Sequence, residues 1–342
     1  MLLSGVCYAP SVLIIVQLRL VFNRFFYFLA LFCALPARPE KGSHTMSKLK
    51  KSIFTGAATA LITPFKNGKI DYERLKQLID QQIDGGIDAL VIAGTTGEAA
   101  TLDHEEHCEL LRASVEYTAG RVPVIAGTGS NDTAYGIELS KYACEVGCDA
   151  LLLVTPYYNK ATPKGLVESF LATAEATDKP IILYNVPSRT GVNITLPVYR
   201  ELAKHERIVA AKEASGNLSA IAELIAECGD SLDVYSGNDD QIVPIMSLGG
   251  KGVISVFSGI LPRETHDLCA ACLKGDFKTG AEMQLKYLKL MNTLFCEVNP
   301  IPVKTAAALL GMCDLEFRLP LSEMEDANLA KLKAVMAEYG LL

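Results

Sequence analysis

The chain has 342 residues, half of them hydrophobic, and a formal net charge of −7 at pH 7. A chain of this length forms one large α/β barrel or two ordinary domains. The acidic balance argues against a nucleic-acid partner, because non-specific binding to nucleic acid needs a basic surface. If the substrate is an anion, positive charge has to be supplied locally, because the overall field repels it.

The first 37 residues are mostly apolar, but Arg19 and Arg24 interrupt the run. Each arginine would cost about 2.5–3.5 kcal/mol at the centre of a bilayer, which disfavours a membrane span. The start also lacks the basic stretch that opens a secretory signal peptide. We therefore expect residues 1–45 to be an extension outside the folded domain, with no membrane partner, and an ordinary globular sequence from Met46. A membrane anchor or targeting peptide is the alternative.

Ten cysteines are spread along the chain and do not resemble the framework of a secreted protein. Cys269 and Cys272 form the only CxxC pair in the sequence, and no second pair or nearby histidine completes a zinc spacing. The pattern therefore predicts two core-facing helix positions and no metal. Reduced thiols in a cytoplasmic protein are the favoured interpretation.

From about Ser52, short β-branched runs alternate with longer amphipathic stretches. The predicted strands are 54–61, 88–93, 122–127, 149–155, 180–185, 208–212, 232–236 and 252–256. Tyr72 to Ile83 and Leu218 to Cys228 show a helical period between strands. Asp71 stands at the N-cap position of the first of these helices, and Gly85-Gly86 ends it. Beyond residue 260 only helical periods remain, at 263–274, 276–294, 301–311 and 326–339.

Eight strands that alternate with helices predict a parallel sheet buried on both faces. A closed (β/α)8 barrel and an open doubly wound sheet both fit this pattern. Four strands end in polar signatures, namely GTTGE at 94–98, TPYY at 155–158, YNVPSR at 184–189 and KEAS at 212–215. An open sheet concentrates its site at one switch point, whereas a barrel gathers all strand ends. We therefore predict an α/β fold, a TIM barrel over 46–260 with a C-terminal helical appendage at 261–342.

Lys212 ends the sixth predicted strand, directly after the apolar run Ile208 to Ala211. Desolvation lowers the pKa of an ammonium group, and a neutral amine can form a Schiff base with a carbonyl substrate. Tyr184 ends the fifth predicted strand, and the ends of neighbouring strands converge in a barrel. Its phenol is therefore expected near Lys212, where it can transfer protons. The alternatives are a lysine that reaches solvent and a tyrosine packed in the core.

Thr95 and Thr96 lie between two glycines in the turn after the second predicted strand. Their hydroxyls, together with free amides, can bind an anion, which predicts a carboxylate-binding site and an α-keto acid substrate. Thr95 is also expected to relay protons to Tyr184. Arg189 follows the fifth strand, and its fork geometry suits a second carboxylate, that of the acceptor substrate. The adjacent aromatics Tyr157-Tyr158 predict a contact with another subunit.

From about Phe54 to its C-terminus the chain resembles the dihydrodipicolinate synthase family, class I aldolases of lysine biosynthesis. The motifs that carry the resemblance are GTTGEAATL, VIAGTGSN, TPYYNKATPKGL, ILYNVPSRTG, KEASGNL, SGND, GGKGVISV and NPIPVK. The resemblance implies a (β/α)8 barrel with a helical C-terminal part, assembled as a homotetramer built from tight dimers. It implies a lyase that needs no metal or organic cofactor, because the iminium is itself the electron sink.

The resemblance also implies the catalytic roles. Lys212 is similar to the lysine that forms the Schiff base with pyruvate, and Tyr184 to the proton-transfer tyrosine. Thr95 resembles the relay threonine, and Tyr158 resembles a tyrosine that a partner subunit inserts to complete the relay. The implied reaction adds the pyruvate enamine to the aldehyde of L-aspartate 4-semialdehyde.

Four further positions are implied to bind substrate. Thr96 resembles part of the pyruvate-carboxylate site, and Arg189 matches the arginine that binds aspartate semialdehyde. Ile254 falls where a backbone group contacts substrate, and Gly237, in the SGND motif, is also expected to bind substrate. The rival within the superfamily is an N-acetylneuraminate lyase or a keto-deoxy-sugar acid aldolase, which Arg189 disfavours. A non-catalytic barrel is the second rival, disfavoured by the presence of both the lysine and the tyrosine.

A possible allosteric lysine site is implied by four residues that match its lining in feedback-inhibited members, namely His104, His107, Asn131 and Tyr157. Ala99 and Tyr135, however, stand where a serine and an acidic residue are found in those members. Because loss of the acid removes a partner for the ammonium of the inhibitor, the sequence predicts weak or absent inhibition by lysine.

Overall fold

A computed structural model describes residues 52–342 of the chain. The strands are β1 (Gly56–Ala60), β2 (Phe65–Lys66), β3 (Lys69–Ile70), β4 (Ala89–Ile92), β5 (Val124–Gly127), β6 (Ala150–Val154), β7 (Ile181–Asn185), β8 (Ile208–Glu213), β9 (Asp233–Ser236) and β10 (Gly252–Ser255). Strands β1 and β4 to β10 are parallel and close into a barrel, whereas β2 and β3 form a separate antiparallel hairpin. The predicted barrel is confirmed, and the open sheet is wrong. The extension predicted at 1–45 lies outside the described residues.

Helices connect the barrel strands and continue beyond the last one. They are α1 (Tyr72–Asp84), α2 (His104–Thr118), α3 (Thr133–Glu145), α4 (Pro163–Ala176), α5 (Pro187–Thr190), α6 (Leu196–Leu202), α7 (Leu218–Cys228), α8 (Ile242–Ser247), α9 (Pro262–Leu273), α10 (Phe277–Thr293), α11 (Ile301–Leu309) and α12 (Asp326–Glu338). The four predicted C-terminal helices correspond to α9 to α12. Within the described part of the chain, no helix is both long and apolar enough to span a bilayer.

Local sequence explains where the first helix begins and which face it buries. The Asp71 side chain accepts a hydrogen bond from the backbone N–H of Arg74 at 3.0 Å, which satisfies a free amide of the first turn. Leu75, Leu78 and Ile79 then form the buried stripe of α1. On α9, Cys269 and Cys272 are both buried free thiols, so the predicted core-facing positions are confirmed.

The barrel strands are buried on both faces, as their apolar runs predict. One set of side chains packs against the surrounding helices. The alternate set fills the barrel interior, and it includes Ile125, Ile182, Ala210 and Ile254. Because these side chains fill the interior, the barrel has no open channel. Polar groups at the carboxyl ends of the strands therefore lie together at one end of the barrel, its mouth.

Candidate active site

Lys212 lies near the end of β8, where burial changes the chemistry of its amine. Only 6% of the residue is exposed, and its Nζ lies 4.2 Å from the centre of the Tyr184 ring. Burial lowers the pKa of Lys212 from 10.5 to about 7; Asp239 opposes this shift and Arg189 adds to it. A large fraction of the amine is therefore neutral at physiological pH and able to attack a carbonyl carbon.

This pKa predicts the pH dependence of the first covalent step. Below about pH 7 Lys212 is an ammonium without a free electron pair, so kcat/KM for the carbonyl substrate should fall as pH decreases through that value. Above it the rate should reach a plateau. The measurement is kcat/KM for the carbonyl substrate as a function of pH. A midpoint that stays near 10.5, the ordinary value for lysine, would contradict the burial argument.

Tyr184 is the strand partner of Lys212. The two residues are in register on the neighbouring parallel strands β7 and β8, and both line the cavity at the end of the barrel. The Thr95 side chain forms a hydrogen bond with the Tyr184 hydroxyl. Burial raises the pKa of Tyr184, while Arg189 and Thr95 lower it, so the phenol keeps its proton at neutral pH. A protonated phenol beside a neutral amine can deliver a proton and take it back through Thr95.

The loop from Gly94 to Glu98 is held in a demanding conformation. Ala93, directly before the loop, and Glu98, its last residue, have φ of 54° and 56°, a left-handed geometry that costs roughly 1–2 kcal/mol for a residue with a Cβ. A Cβ on Gly97 would lie 3.2 Å from backbone atoms of Ala93, so this position suits glycine. The Thr63 hydroxyl donates to the carbonyl of Gly97 at 2.6 Å. The barrel therefore holds one side of the loop, at Gly97.

Thr96 and Arg189 are connected by one residue of the C-terminal region. The amide Nδ2 of Asn299 donates to the Thr96 hydroxyl at 3.0 Å, and the Arg189 guanidinium donates to the Asn299 carbonyl at 3.1 Å. Because the Thr96 oxygen accepts from the amide, its own proton remains available for an anion. Sequence reasoning missed Asn299, although it opens the NPIPVK motif.

A cavity of about 180 Å³ lies at the barrel mouth. The predicted residues that line it are Thr95, Thr96, Tyr184, Arg189, Lys212 and Gly237. Among the described residues that line it, Arg189 and Lys212 are basic and none is acidic, so the cavity favours an anion despite the negative net charge of the protein. A Cβ on Gly237 would lie 2.7 Å from the Ala214 Cβ, so a larger residue would push into the wall.

Two predicted residues do not line this cavity. Ile254 is fully buried in the barrel interior below it, and Val256, two residues further along, lines the wall instead. Tyr158 is 91% exposed on the loop after β6. Its predicted role depends on insertion into a second subunit, and that role stays a prediction.

Two buried carboxyl groups, those of Glu213 and Asp239, lie close to Lys212 in the structure. Glu213, next to Lys212, accepts hydrogen bonds from the Tyr199 hydroxyl at 2.5 Å, the Asn185 amide at 3.0 Å and the Ser215 hydroxyl at 2.8 Å. These bonds fix the end of β8 from the helix side. Asp239 also receives hydrogen bonds from two backbone amides, at 2.9 and 3.1 Å, and its charge interacts with Lys212.

A larger cavity of about 430 Å³ adjoins the first and shares Thr95, Tyr184 and Arg189 with it. His107 and Tyr157, two of the possible allosteric residues, line this larger space. The ring of His107 forms a 3.1 Å contact with the carbonyl of Gly127, and burial lowers its pKa to about 4. His107 is therefore neutral at physiological pH.

The other two possible allosteric residues lie at the edge of this region. His104 packs against Tyr135 with ring centres 5.8 Å apart, and its Nε2 is 3.9 Å from Glu138. The carbonyl of Asn131 accepts a hydrogen bond from the Asn159 side chain at 2.9 Å. Neither His104 nor Asn131 lines the larger cavity, so the four residues do not surround one common space within this chain.

Comparisons with known proteins agree with this geometry. The model of the dihydrodipicolinate synthetase family matches residues 53–339. A 4-hydroxy-tetrahydrodipicolinate synthase from Lachnoclostridium phytofermentans is 56% identical over 293 residues, covering 85% of this chain and all of the relative.

Solved structures are similar over the same part of the chain. The dihydrodipicolinate synthase from Aquifex aeolicus has a TM-score of 0.83 and 48% identity, covering 84% of this chain and 99% of its own. The chloride-inhibited enzyme from Acinetobacter baumannii, complexed with pyruvate, has a TM-score of 0.83 and 40% identity, covering the same shares. The chain therefore belongs to the dihydrodipicolinate synthetase family.

Proposed function

We propose that this protein is a 4-hydroxy-tetrahydrodipicolinate synthase, a lyase of lysine and diaminopimelate biosynthesis. It condenses pyruvate with L-aspartate 4-semialdehyde through a Schiff base on Lys212. The observation that carries this proposal is the buried Lys212 amine, 4.2 Å from the Tyr184 ring in a cavity that favours anions. The 56% identity to a synthase of this name supports the choice of reaction. The eight described cysteines are free thiols, which suits the cytoplasm.

In the first half-reaction the Lys212 amine attacks the carbonyl carbon of pyruvate, whose carboxylate is bound by Thr95 and Thr96. The resulting carbinolamine oxygen takes a proton from Tyr184 and leaves as water, which gives the iminium. The methyl carbon then loses a proton, which Tyr184 takes up through Thr95 and so recovers the one it gave. The C–H electron pair forms the C=C bond of the enamine, and the iminium nitrogen accepts the electron pair of the C=N bond. The step therefore needs neither a metal nor an organic cofactor.

In the second half-reaction the enamine carbon attacks the aldehyde carbon of the semialdehyde. Arg189 binds the carboxylate of this substrate at the mouth of the cavity. The amine of the adduct then displaces Lys212 as the ring closes, which regenerates the free lysine. Covalent capture of the first substrate before the second one reacts predicts ping-pong kinetics.

Arg189→Ala should lower kcat/KM for aspartate semialdehyde by about 10- to 100-fold, because a charged hydrogen-bond partner of the carboxylate is lost. The pyruvate half-reaction should change less, and Arg189→Lys should recover part of the loss. Steady-state kinetics with each substrate varied in turn measures the effect. Arg200→Ala, which removes an exposed ion pair with Glu227, is the control. A loss confined to pyruvate would contradict this role.

A partner subunit is part of the proposal. We infer a homotetramer of tight dimers in which Tyr158 enters the site of its neighbour and extends the proton relay from Thr95. The 91% exposure of this aromatic ring on a loop of the barrel mouth supports the inference, together with the family resemblance. Sedimentation of the purified protein gives the oligomeric state.

Lysine should inhibit this protein weakly or not at all. Tyr135 stands where an acidic partner for the ammonium of the inhibitor would be needed, and the four matching residues do not surround one space. Initial rates measured across millimolar lysine test this expectation. Strong inhibition at low millimolar lysine would show that it is wrong.

A comparison of two substrates distinguishes the proposed synthase from a sugar-acid aldolase. Purified protein is assayed with pyruvate plus aspartate semialdehyde, and separately for cleavage of N-acetylneuraminate. Turnover only with the semialdehyde is expected, since Arg189 supplies a charge for a second carboxylate, and the sugar part of N-acetylneuraminate that takes the place of the semialdehyde is neutral. Preferential cleavage of N-acetylneuraminate would contradict the proposed function.

A further inference from the structure

A buried ion pair joins the C-terminal region to the loop that carries Thr95 and Thr96. The Nζ of Lys304, on α11, lies 2.5 Å from the Oε1 of Glu98, and both side chains have no exposed surface. The amine also lies 4.1 Å from the centre of the Phe65 ring and 5.2 Å from that of Phe317. Charges this deeply buried are costly unless they are paired, so the two side chains depend on each other.

The ion pair acts on the loop at Glu98, a residue whose backbone is in the left-handed region. Glu98 has a φ of 56°, and its carbonyl accepts a hydrogen bond from the Thr101 hydroxyl at 3.1 Å. Its second carboxylate oxygen accepts from the backbone N–H of Arg318 at 3.4 Å. A left-handed residue persists only where its surroundings enforce it, and here the C-terminal region provides that enforcement.

The same region reaches the next part of the loop. Asn299, five residues before Lys304, donates its amide to the Thr96 hydroxyl at 3.0 Å. The loop is thus tied to the segment around α11 at Thr96 and again at Glu98. Neither member of the ion pair lines the 180 Å³ cavity that holds Lys212. Glu98 borders the adjoining 430 Å³ cavity, but its carboxylate is fully buried against Lys304, so the pair acts on the keto acid through the loop.

We propose that Glu98 and Lys304 are positioning residues, which hold the Gly94–Glu98 loop so that Thr95 and Thr96 meet the carboxylate of the keto acid. This inference rests on the proposed function of the site. Loss of the ion pair should therefore impair the capture of pyruvate more than the later steps, because a small displacement of the Thr95 and Thr96 hydroxyls weakens that step most.

The test is borohydride trapping of pyruvate on Lys212 in three variants, Glu98→Gln, Lys304→Met and the double variant. Glu98→Gln keeps the side-chain size and an oxygen acceptor, and the double variant leaves no unpaired buried charge. The pyruvate concentration that gives half-maximal trapping should rise by about tenfold or more in each folded variant. In steady state, kcat/KM for pyruvate should fall more than kcat/KM for the semialdehyde.

Leu332→Ala is the matched control, because it removes a fully buried side chain of the C-terminal helix α12 without touching the pair. It should lower the melting temperature and leave the pyruvate dependence unchanged. The proposal is overturned if a folded pair variant traps pyruvate normally, if Leu332→Ala shows the same shift, or if no pair variant folds. Absence of trapping in the unmodified protein would instead overturn the proposed function, and this inference with it.

Discussion

Lys212→Ala should lower kcat by at least about 10⁴-fold, because it removes the nucleophile and leaves no other route to the enamine. The rest of the cavity would persist, so pyruvate could still bind through Thr95 and Thr96 without reacting. Lys212→Arg should be equally inactive, since a guanidinium stays protonated near pH 7. Steady-state assays with saturating pyruvate and semialdehyde measure the loss.

The control for this change is Lys289→Ala, which removes an exposed lysine paired with Glu338 on the outside of the C-terminal region. Its turnover should match that of the unmodified protein. Circular dichroism of Lys212→Ala should show a folded barrel, because removal of a buried amine removes a desolvation cost. Near-normal turnover by Lys212→Ala would show that no covalent intermediate forms at this residue.

Tyr184→Phe should lower kcat by about 10²- to 10³-fold, the range expected when a general acid and base is lost. The ring that packs against Lys212 remains, and only the hydroxyl that forms a hydrogen bond with Thr95 is removed. Both dehydration of the carbinolamine and later proton transfers should slow. Stopped-flow trapping of the Schiff base and steady-state kcat would report the two effects.

Tyr235→Phe is a close control, because Tyr235 lies on β9 in register with Lys212, on the side opposite Tyr184. Its hydroxyl donates to the carbonyl of Phe54 at 2.8 Å, outside the cavity. This variant should lose some stability and keep its turnover. Equal losses of activity in both tyrosine variants would indicate that Tyr184 acts through packing alone.

Most of the barrel could be predicted from the sequence because each strand is a short apolar run with a polar end. All eight observed barrel strands begin and end within about one or two residues of the predicted ranges, as for β8 at Ile208–Glu213. Burial on both faces requires such runs, and hydrophobic periodicity is the most reliable signal that a single chain carries. Helix α7 matches its predicted range, since Asn217 caps its start.

The small hairpin of β2 and β3 was missed, because two-residue strands are too short to show any period. The sequence signal is the pair Asn67-Gly68, and in the structure both residues have positive φ, at 53° and 78°. Asn-Gly between extended residues is typical of a two-residue hairpin turn.

The site was predictable where chemistry depends on strand ends, and not where it depends on contacts distant in sequence. Lys212 and Tyr184 meet because neighbouring strand ends converge. Glu98 and Lys304 are separated by more than 200 positions, and each would pass for an ordinary surface charge. Only the fold shows that both are buried. Tyr158 illustrates a further gap, because its proposed partner surface belongs to another copy of the chain.

The most direct test of a covalent lysine is reduction with borohydride in the presence of pyruvate, followed by peptide mass spectrometry. One added reduced pyruvyl group, located on Lys212, is expected, with loss of activity in proportion to labelling. The control without pyruvate should remain active and unlabelled. Full labelling at any other lysine, or no labelling while the protein still turns over, would contradict a Schiff base on Lys212.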